Sequence, residues 1–239
     1  MPEEGIKLIS HEDILSFEEI YEITTKAVVM GIRKVRLTGG EPLVRRNILS
    51  LVKMIAGING INDYAMTTNG LLLEEFAQGL KDAGLHRLNI SLDTLDPEKY
   101  ADITRGGNIN QVLNGIKTTQ NVGFNKIKLN CVIKESHEEP DAKQVAKFAK
   151  QNNFQIRYIR WMNMEQGRFW AVEGGDGGNC EVCNRLRLTS DGKIYPCLFS
   201  DINYSVKELG IETALQLAVE NKPESGQRSK NNQFYTIGG

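Results

Sequence analysis

The chain has 239 residues and a mass of 26.8 kDa, enough for one large domain with an appendage. Hydrophobic residues at 40% and charged residues at 25% exclude a disordered polymer, and no apolar run reaches the about 18 residues of a membrane span. Lys plus Arg total 29 against 30 for Asp plus Glu; at a net charge of −1 there is no basic excess that would point to nucleic acid. Met1-Pro2-Glu3-Glu4 lacks the apolar stretch of a signal peptide. Three of the four cysteines cluster, which favours a metal site in a reducing cytosol over a disulfide framework.

The chain then reads as alternating helices and strands. Ser16 and Glu19 form a capping-box signature ahead of a helix carrying Phe17, Ile20, Ile23, Ala27 and Met30, stopped by Gly31. A strand over 34–38 ends in Gly39-Gly40, and a helix follows over about 47–55. The next strand, 63–67, closes on Asn69-Gly70; a helix runs from Leu72 to Ala83 and stops at Gly84. A strand over 87–91 precedes Asp96-Pro97, a cap with a first-turn proline. Helix, strand and helix recur at about 110–121, 127–133 and 141–151, and 155–161 is the last clear strand. Beyond Trp161, the run from Gly174 to Gly178 reads as a flexible linker. A hairpin is expected around 190–192 and a helix over about 211–220, before a polar tail that ends in Gly238-Gly239.

Five strands spaced by helices predict a parallel sheet, either doubly wound or a (β/α) barrel, complete or partial. Both gather ligands at the C-terminal edge of the strands. The polar, glycine-rich stretches 38–42, 67–70 and 91–93 fall at those edges.

Cys180-x-x-Cys183, followed by Cys197, offers three thiolates and no nearby histidine, since His11, His86 and His137 are far off in sequence. Three cysteines with an open fourth position suit an iron–sulfur cluster; a degenerate zinc ribbon is the alternative. Arg185 and Arg187 flank Leu186, and residues i and i+2 share a face of an extended segment, so the pair suits a polyphosphate or carboxylate unless both are simply solvated. Gly39-Gly40 lets backbone approach a ligand and Glu41 could meet an ammonium group, or the segment is a plain turn. Lys128, between Ile127 and Leu129, faces away from both, into a barrel mouth or into solvent. Met162 reads as core or ligand contact, and Cys131 as a strand position.

The chain resembles the GTP 3′,8-cyclases of molybdenum-cofactor biosynthesis, a family of radical S-adenosylmethionine enzymes. The resemblance lies in Met1 to Gly5, Thr38 to Arg46, Thr67 to Gly70, Asn89 to Asp93, Cys180 to Thr189 and the terminal Gly238-Gly239. It implies a partial, open (β/α) barrel of the radical type, lacking its first strand, over 1–165, and a cluster-binding extension over 166–239. Gly40, Ser91 and Met162 are implied as S-adenosylmethionine contacts, with Glu41 reaching its amino group. Arg36, Thr67, Lys128 and the run Arg185, Leu186, Arg187 are implied as GTP contacts. Cys180, Cys183 and Cys197 are implied as ligands of a [4Fe–4S] cluster that binds the guanine, and Gly238 and Gly239 as a tail that enters the active site. In the implied reaction an adenosyl radical removes a ribose hydrogen from GTP and the carbon radical attacks the guanine ring. A cytoplasmic location, a homodimer and a downstream pterin synthase as partner follow from the same resemblance.

The sequence departs from the family pattern twice. The Cys-x-x-x-Cys-x-x-Cys that holds the family's N-terminal [4Fe–4S] cluster does not occur, and the segment from Met164 to Asn179 is short. The reading therefore expects this polypeptide to bind GTP without reductively cleaving S-adenosylmethionine, and expects the DNA upstream of Met1 to encode the cysteine motif. A non-catalytic iron–sulfur and nucleotide-binding relative, or a structural zinc protein, are the competing readings.

Overall fold

The structure, a computed structural model, describes residues 9–230. The N-terminal resemblance at Met1 to Gly5 and the Gly238-Gly239 tail lie outside the described residues. Helix α1 (Phe17–Val29) opens on a capping box: the Ser16 hydroxyl accepts from Glu19 N–H at 3.1 Å while the Glu19 carboxylate accepts from Ser16 N–H at 2.6 Å. Strands β1 (Lys34–Leu37), β2 (Asp63–Thr68), β3 (Arg87–Ser91), β4 (Ile127–Ile133) and β5 (Gln155–Arg160) follow. Between them run α2 (Ile48–Ala56), α3 (Leu73–Asp82), α4 (Pro97–Thr104), α5 (Ile109–Asn121) and α6 (Pro140–Gln151).

All five strands are parallel and lie in the order β1-β2-β3-β4-β5. A doubly wound sheet reverses its strand order midway, so the unbroken order selects the partial barrel. Successive residues of a strand face opposite ways, and the register sorts the strands into two faces. One face carries Val35 and Leu37, then Tyr64 and Met66, Leu88 and Ile90, the odd-numbered residues of β4 from Ile127 to Ile133, and Ile156 and Tyr158. These pack with the helices in one apolar core. The other face carries Lys34 and Arg36, Asp63 and Thr67, Arg87, Asn89 and Ser91, Lys128 and Asn130, and Gln155 and Arg157. Parallel strands covered on both faces read as continuous apolar runs; these alternate because helices cover only one face.

A second, smaller core joins Leu15 and Ile23 to Ile194, Val206, Ala214, Leu215 and Ala218. The antiparallel strands β6 (Arg187–Leu188), β7 (Lys193–Tyr195) and β8 (Tyr204–Ser205) form it with the short α7 (Val206–Leu209) and α8 (Ile211–Glu220). Helix α1 serves both cores, Val28 in the first and Ile23 in the second, and so fixes the C-terminal unit to the sheet. Backbone and side chain reinforce the joint: Leu15 N–H donates to Ser190 O at 2.8 Å, and Lys26 pairs with Glu212. No helix among the described residues is long and apolar enough to cross a membrane.

The segment 174–178 is not the flexible linker its glycines suggest. Tyr158 and Glu173 exchange backbone hydrogen bonds at 3.0 and 3.1 Å, so this stretch adds to the β5 edge, and Val172 N–H closes a turn on Gly177 O at 2.7 Å. Gly174, at φ +78, sits where a Cβ would fall 2.5 Å from Ile156 O. The glycines are there for close approach and left-handed backbone, not for mobility.

Candidate functional site

The polar face of the sheet forms the floor of a cationic basin. Arg36, Arg87, Lys128 and Arg157 stand on it, and Arg185 and Arg187 reach it from the C-terminal unit. Burial, then the guanidiniums of Arg185, Arg157, Arg87 and Arg187, hold Arg36 down to about 10. Burial likewise lowers Lys128, with Arg157, Arg87 and Arg36 adding to it, and lowers Arg157, with Arg87 and Arg185 adding. The acidic groups that offset this crowding are Asp63, whose carboxyl is held below its ordinary value chiefly by its bonds to Arg87, and Asp176 beside Arg157. Two of the guanidiniums are unsatisfied: the buried Nε of Arg157 and that of Arg187 have no hydrogen-bond partner, nor does the buried Oδ1 of Asn130 on the same face. Buried polar atoms without partners are rare in folded proteins, and here they converge where an anion would bring acceptors to the two arginines.

Of the sequence-predicted residues, Arg36, Thr67, Ser91 and Lys128 share this face, and Arg185 and Arg187 meet it from the other unit. Lys128 is half-buried between the fully buried Ile127 and Leu129, as the strand period requires. Leu186 turns the opposite way and packs on the second core. Gly39 holds φ +139, and a Cβ on Gly40 would meet nothing within 4 Å, so the strand end is open backbone. Glu41 is more occupied than a free carboxylate. It accepts from Leu43 N–H at 3.1 Å, the Thr68 hydroxyl at 2.8 Å and Asn69 N–H at 2.7 Å, which ties the loop after β1 to the turn after β2. Of about four lone-pair positions, one remains for a ligand. Met162 follows β5 and is half-buried.

Arg87, Asn89, Asn130 and Arg157 are basin residues that the sequence reading did not single out. Their signal was present: each occupies the alternate position of a strand whose other face is apolar.

Cys180, Cys183 and Cys197 are all partly accessible thiols. Burial pushes Cys197 up, while the Phe199 N–H and the Lys222 ammonium pull it down; the Cys183 and Cys180 charges also act on it, so the three share one neighbourhood. Lys222 Nζ donates to Arg185 O at 2.9 Å and to Pro196 O at 2.5 Å, which ties the segment leading into β6 to the residue before Cys197. Among the described residues no three His, Cys, Asp or Glu side chains close on a single metal ion. Three thiols in one neighbourhood, with a fourth position left open, match the donor set of an iron–sulfur cluster. Cys131 is different: fully buried on the helix side of β4, it is pushed up to about 12 by burial.

Residues 4–149 match the Radical SAM superfamily. The chain is 37% identical to the GTP 3′,8-cyclase of Alkaliphilus metalliredigens (strain QYMF) over 272 residues, covering 94% of this chain and 85% of that one. It is 38% identical to the GTP 3′,8-cyclase of Thermodesulfovibrio yellowstonii over 255 residues, covering 87% and 79%. The first of these stretches exceeds the 239 residues of this chain, so that relative carries internal residues this chain lacks. Among solved structures, Streptococcus suis SuiB bound to S-adenosylmethionine has a TM-score of 0.62 at 15% identity, covering 87% of this chain and 59% of that chain. Native anSMEcpe with bound AdoMet and Kp18Cys peptide gives the same TM-score of 0.62 at 15% identity, covering 88% and 73%. At these identities the likeness to the solved structures is one of fold.

Proposed function

This chain belongs to the Radical SAM superfamily and, within it, to the GTP 3′,8-cyclase family, and on that premise we propose that the cationic face of its sheet binds the triphosphate of GTP for the cyclisation step of molybdenum-cofactor biosynthesis. The observation that carries this reading is the meeting of four strands and the C-terminal unit in one group of six cations, two with unpartnered Nε atoms. Arg36, Lys128, Arg157, Arg185 and Arg187 supply charge-assisted donors to phosphate oxygens, and Thr67 a hydroxyl. Arginine suits this work because its planar fork meets two oxygens at once. By holding the nucleotide through its phosphates, the chain fixes the ribose and base without relying on the reacting atoms.

S-adenosylmethionine is placed at the C-terminal strand edge: Gly40 for backbone approach, the remaining Glu41 lone pair for its ammonium, Ser91 at the end of β3 and Met162 after β5. Cys180, Cys183 and Cys197 would hold a [4Fe–4S] cluster, which with three protein thiolates supplies one open iron for the guanine. The sheet over 1–165 and the extension over 166–239 divide these tasks, with Gly238 and Gly239 assigned to the tail. The homodimer, the downstream pterin synthase and the cytoplasmic setting rest on the family reading alone.

Titration of the reconstituted protein with GTP, GDP and GMP tests the basin. Affinity should rise with phosphate number and fall with salt, and equal affinity for all three would overturn the reading. Iron and acid-labile sulfide per chain test the cysteines. Stoichiometric zinc without sulfide would return the site to a zinc ribbon.

A further inference from the structure

We propose that Arg87 and Asn89 are positioning residues that fix Thr67 as a hydrogen-bond donor into the basin, toward an anionic oxygen of the nucleotide; this rests on the reading of the basin as the GTP site. The hydrogen bonds on the floor of the basin run in only one consistent direction. Asp63 takes Nε and Nη2 of Arg87 at 2.7 and 2.8 Å, a bidentate pair that fixes the guanidinium plane. Nη1 then meets the Asn89 side chain at 2.7 Å. A guanidinium has donors and no acceptor, so Asn89 must present its carbonyl oxygen. That turns the Asn89 amide nitrogen to Thr67, where it donates to Oγ1 at 3.2 Å.

A threonine hydroxyl has one hydrogen. With Oγ1 accepting from Asn89, that hydrogen is left for an acceptor elsewhere, and no described residue takes it. Thr67 is half-buried on the face it shares with Arg36 and Lys128, so its donor and their charges look into the same space. Asn89 is fully buried and Arg87 is 8% exposed, which keeps the pair from trading these bonds for bulk water. A phosphate oxygen accepts hydrogen bonds. Were the amide reversed, Thr67 would spend its hydrogen on Asn89 and offer the anion a lone pair instead. The pair Asp63–Arg87 thus selects an acceptor ligand from two residues away, through a side chain that touches no ligand itself.

A double-mutant cycle on GTP affinity tests this. Asn89→Asp is isosteric and keeps an acceptor for Arg87, but it has no donor for Thr67, so the threonine hydrogen turns inward. GTP binding should weaken about 10-fold or more, the worth of one hydrogen bond to a charged group. The added negative charge repels GTP as well, and Thr67→Val separates the two effects. In the Thr67→Val background only the repulsion remains, so Asn89→Asp should cost distinctly less than in the wild type. An equal fold-loss in both backgrounds would overturn the proposal while leaving the GTP site intact. Should Asn89→Asp fail to fold, as a thermal melt would reveal, Thr67→Ser against Thr67→Val carries the test. Retained affinity in the serine variant with about 10-fold loss in the valine variant supports the donor; a valine variant that binds like the wild type overturns it. A wild-type protein that binds no GTP overturns the basin reading and this proposal with it, and does so without any variant.

Discussion

The two faces of the five-stranded sheet are made of alternate residues of the same strands, and they answer to opposite demands. On the helix side, Tyr64, Met66, Leu88, Ile90 and Leu129 are at most 0% exposed and give the fold its stability. On the basin side, Arg36, Lys128 and Arg157 hold their protons less tightly than usual, first because they are buried and then because neighbouring cations crowd them. The first face is finished when the chain folds. Under the proposed GTP reading, an anion completes the second, whose crowded cations and unpartnered Nε atoms favour the bound state. Function and stability are therefore separated by one step of the strand period, and substitutions one residue apart should act on different observables.

The largest effect is expected on the apolar face. Leu129→Ala removes a fully buried side chain and should lower unfolding free energy by about 2–5 kcal/mol in urea titrations. A loss well under 1 kcal/mol would mean that the core does not rest on β4. One residue past Ile156, the register partner of Leu129, Arg157→Gln should do the reverse. GTP affinity is expected to fall roughly 10- to 150-fold, while stability stays within about 0.5 kcal/mol of the wild type or rises. If this variant unfolds easily and binds GTP normally, the comparison of the faces fails.

The hairpin half of the basin is sharpened by Lys222→Met, which keeps the apolar stem and removes the ammonium that joins Arg185 O to Pro196 O. Iron release to a chelator should speed up by about tenfold, from the loss of a charge-assisted tie of about 1.5 kcal/mol. Cys131→Ser should leave the iron content unchanged.

The smallest effect concerns pH. The folded Cys131 thiol titrates at about 12 against an ordinary 9.0, so the folded state keeps a proton that the unfolded state gives up. Its contribution is whole below pH 9 and is lost as pH rises from 9 toward 12. Between pH 8 and pH 10 the wild type should lose about 1 kcal/mol more than Cys131→Ala. Iodoacetamide on the native apoprotein should label Cys180, Cys183 and Cys197 while sparing Cys131, and labelling of all four at equal rates would contradict its burial.

Much of this was legible in advance because it is local. Period-two alternation with helical runs between gave the five strands, and the Ser16–Glu19 box and Gly31 gave the ends of α1. The hairpin around 190–192 and the helix over 211–220 were announced by their turn residues and spacing. The role of 174–178 was misread for a physical reason. Glycine permits both mobility and close approach, and only the β5 edge beside it shows which is used. Strand β8 is two residues long and exists because β7 offers an edge, so it has no periodicity of its own to detect.

By itself, the sequence determined the main strands and helices, their parallel arrangement and the apolar face, and it marked Cys180, Cys183, Cys197, Arg185 and Arg187 as candidates, because each follows from residue type and short-range spacing. Tertiary structure alone decided that the strands lie in unreversed order, that α1 bridges two cores, and that Arg185 and Arg187 meet Arg36 and Arg157. It also decided that Asp63, Arg87, Asn89 and Thr67 form one directed chain of hydrogen bonds. Those are relations between residues far apart in the chain. No local pattern encodes them, since they come from strand register and from the packing that brings one element against another.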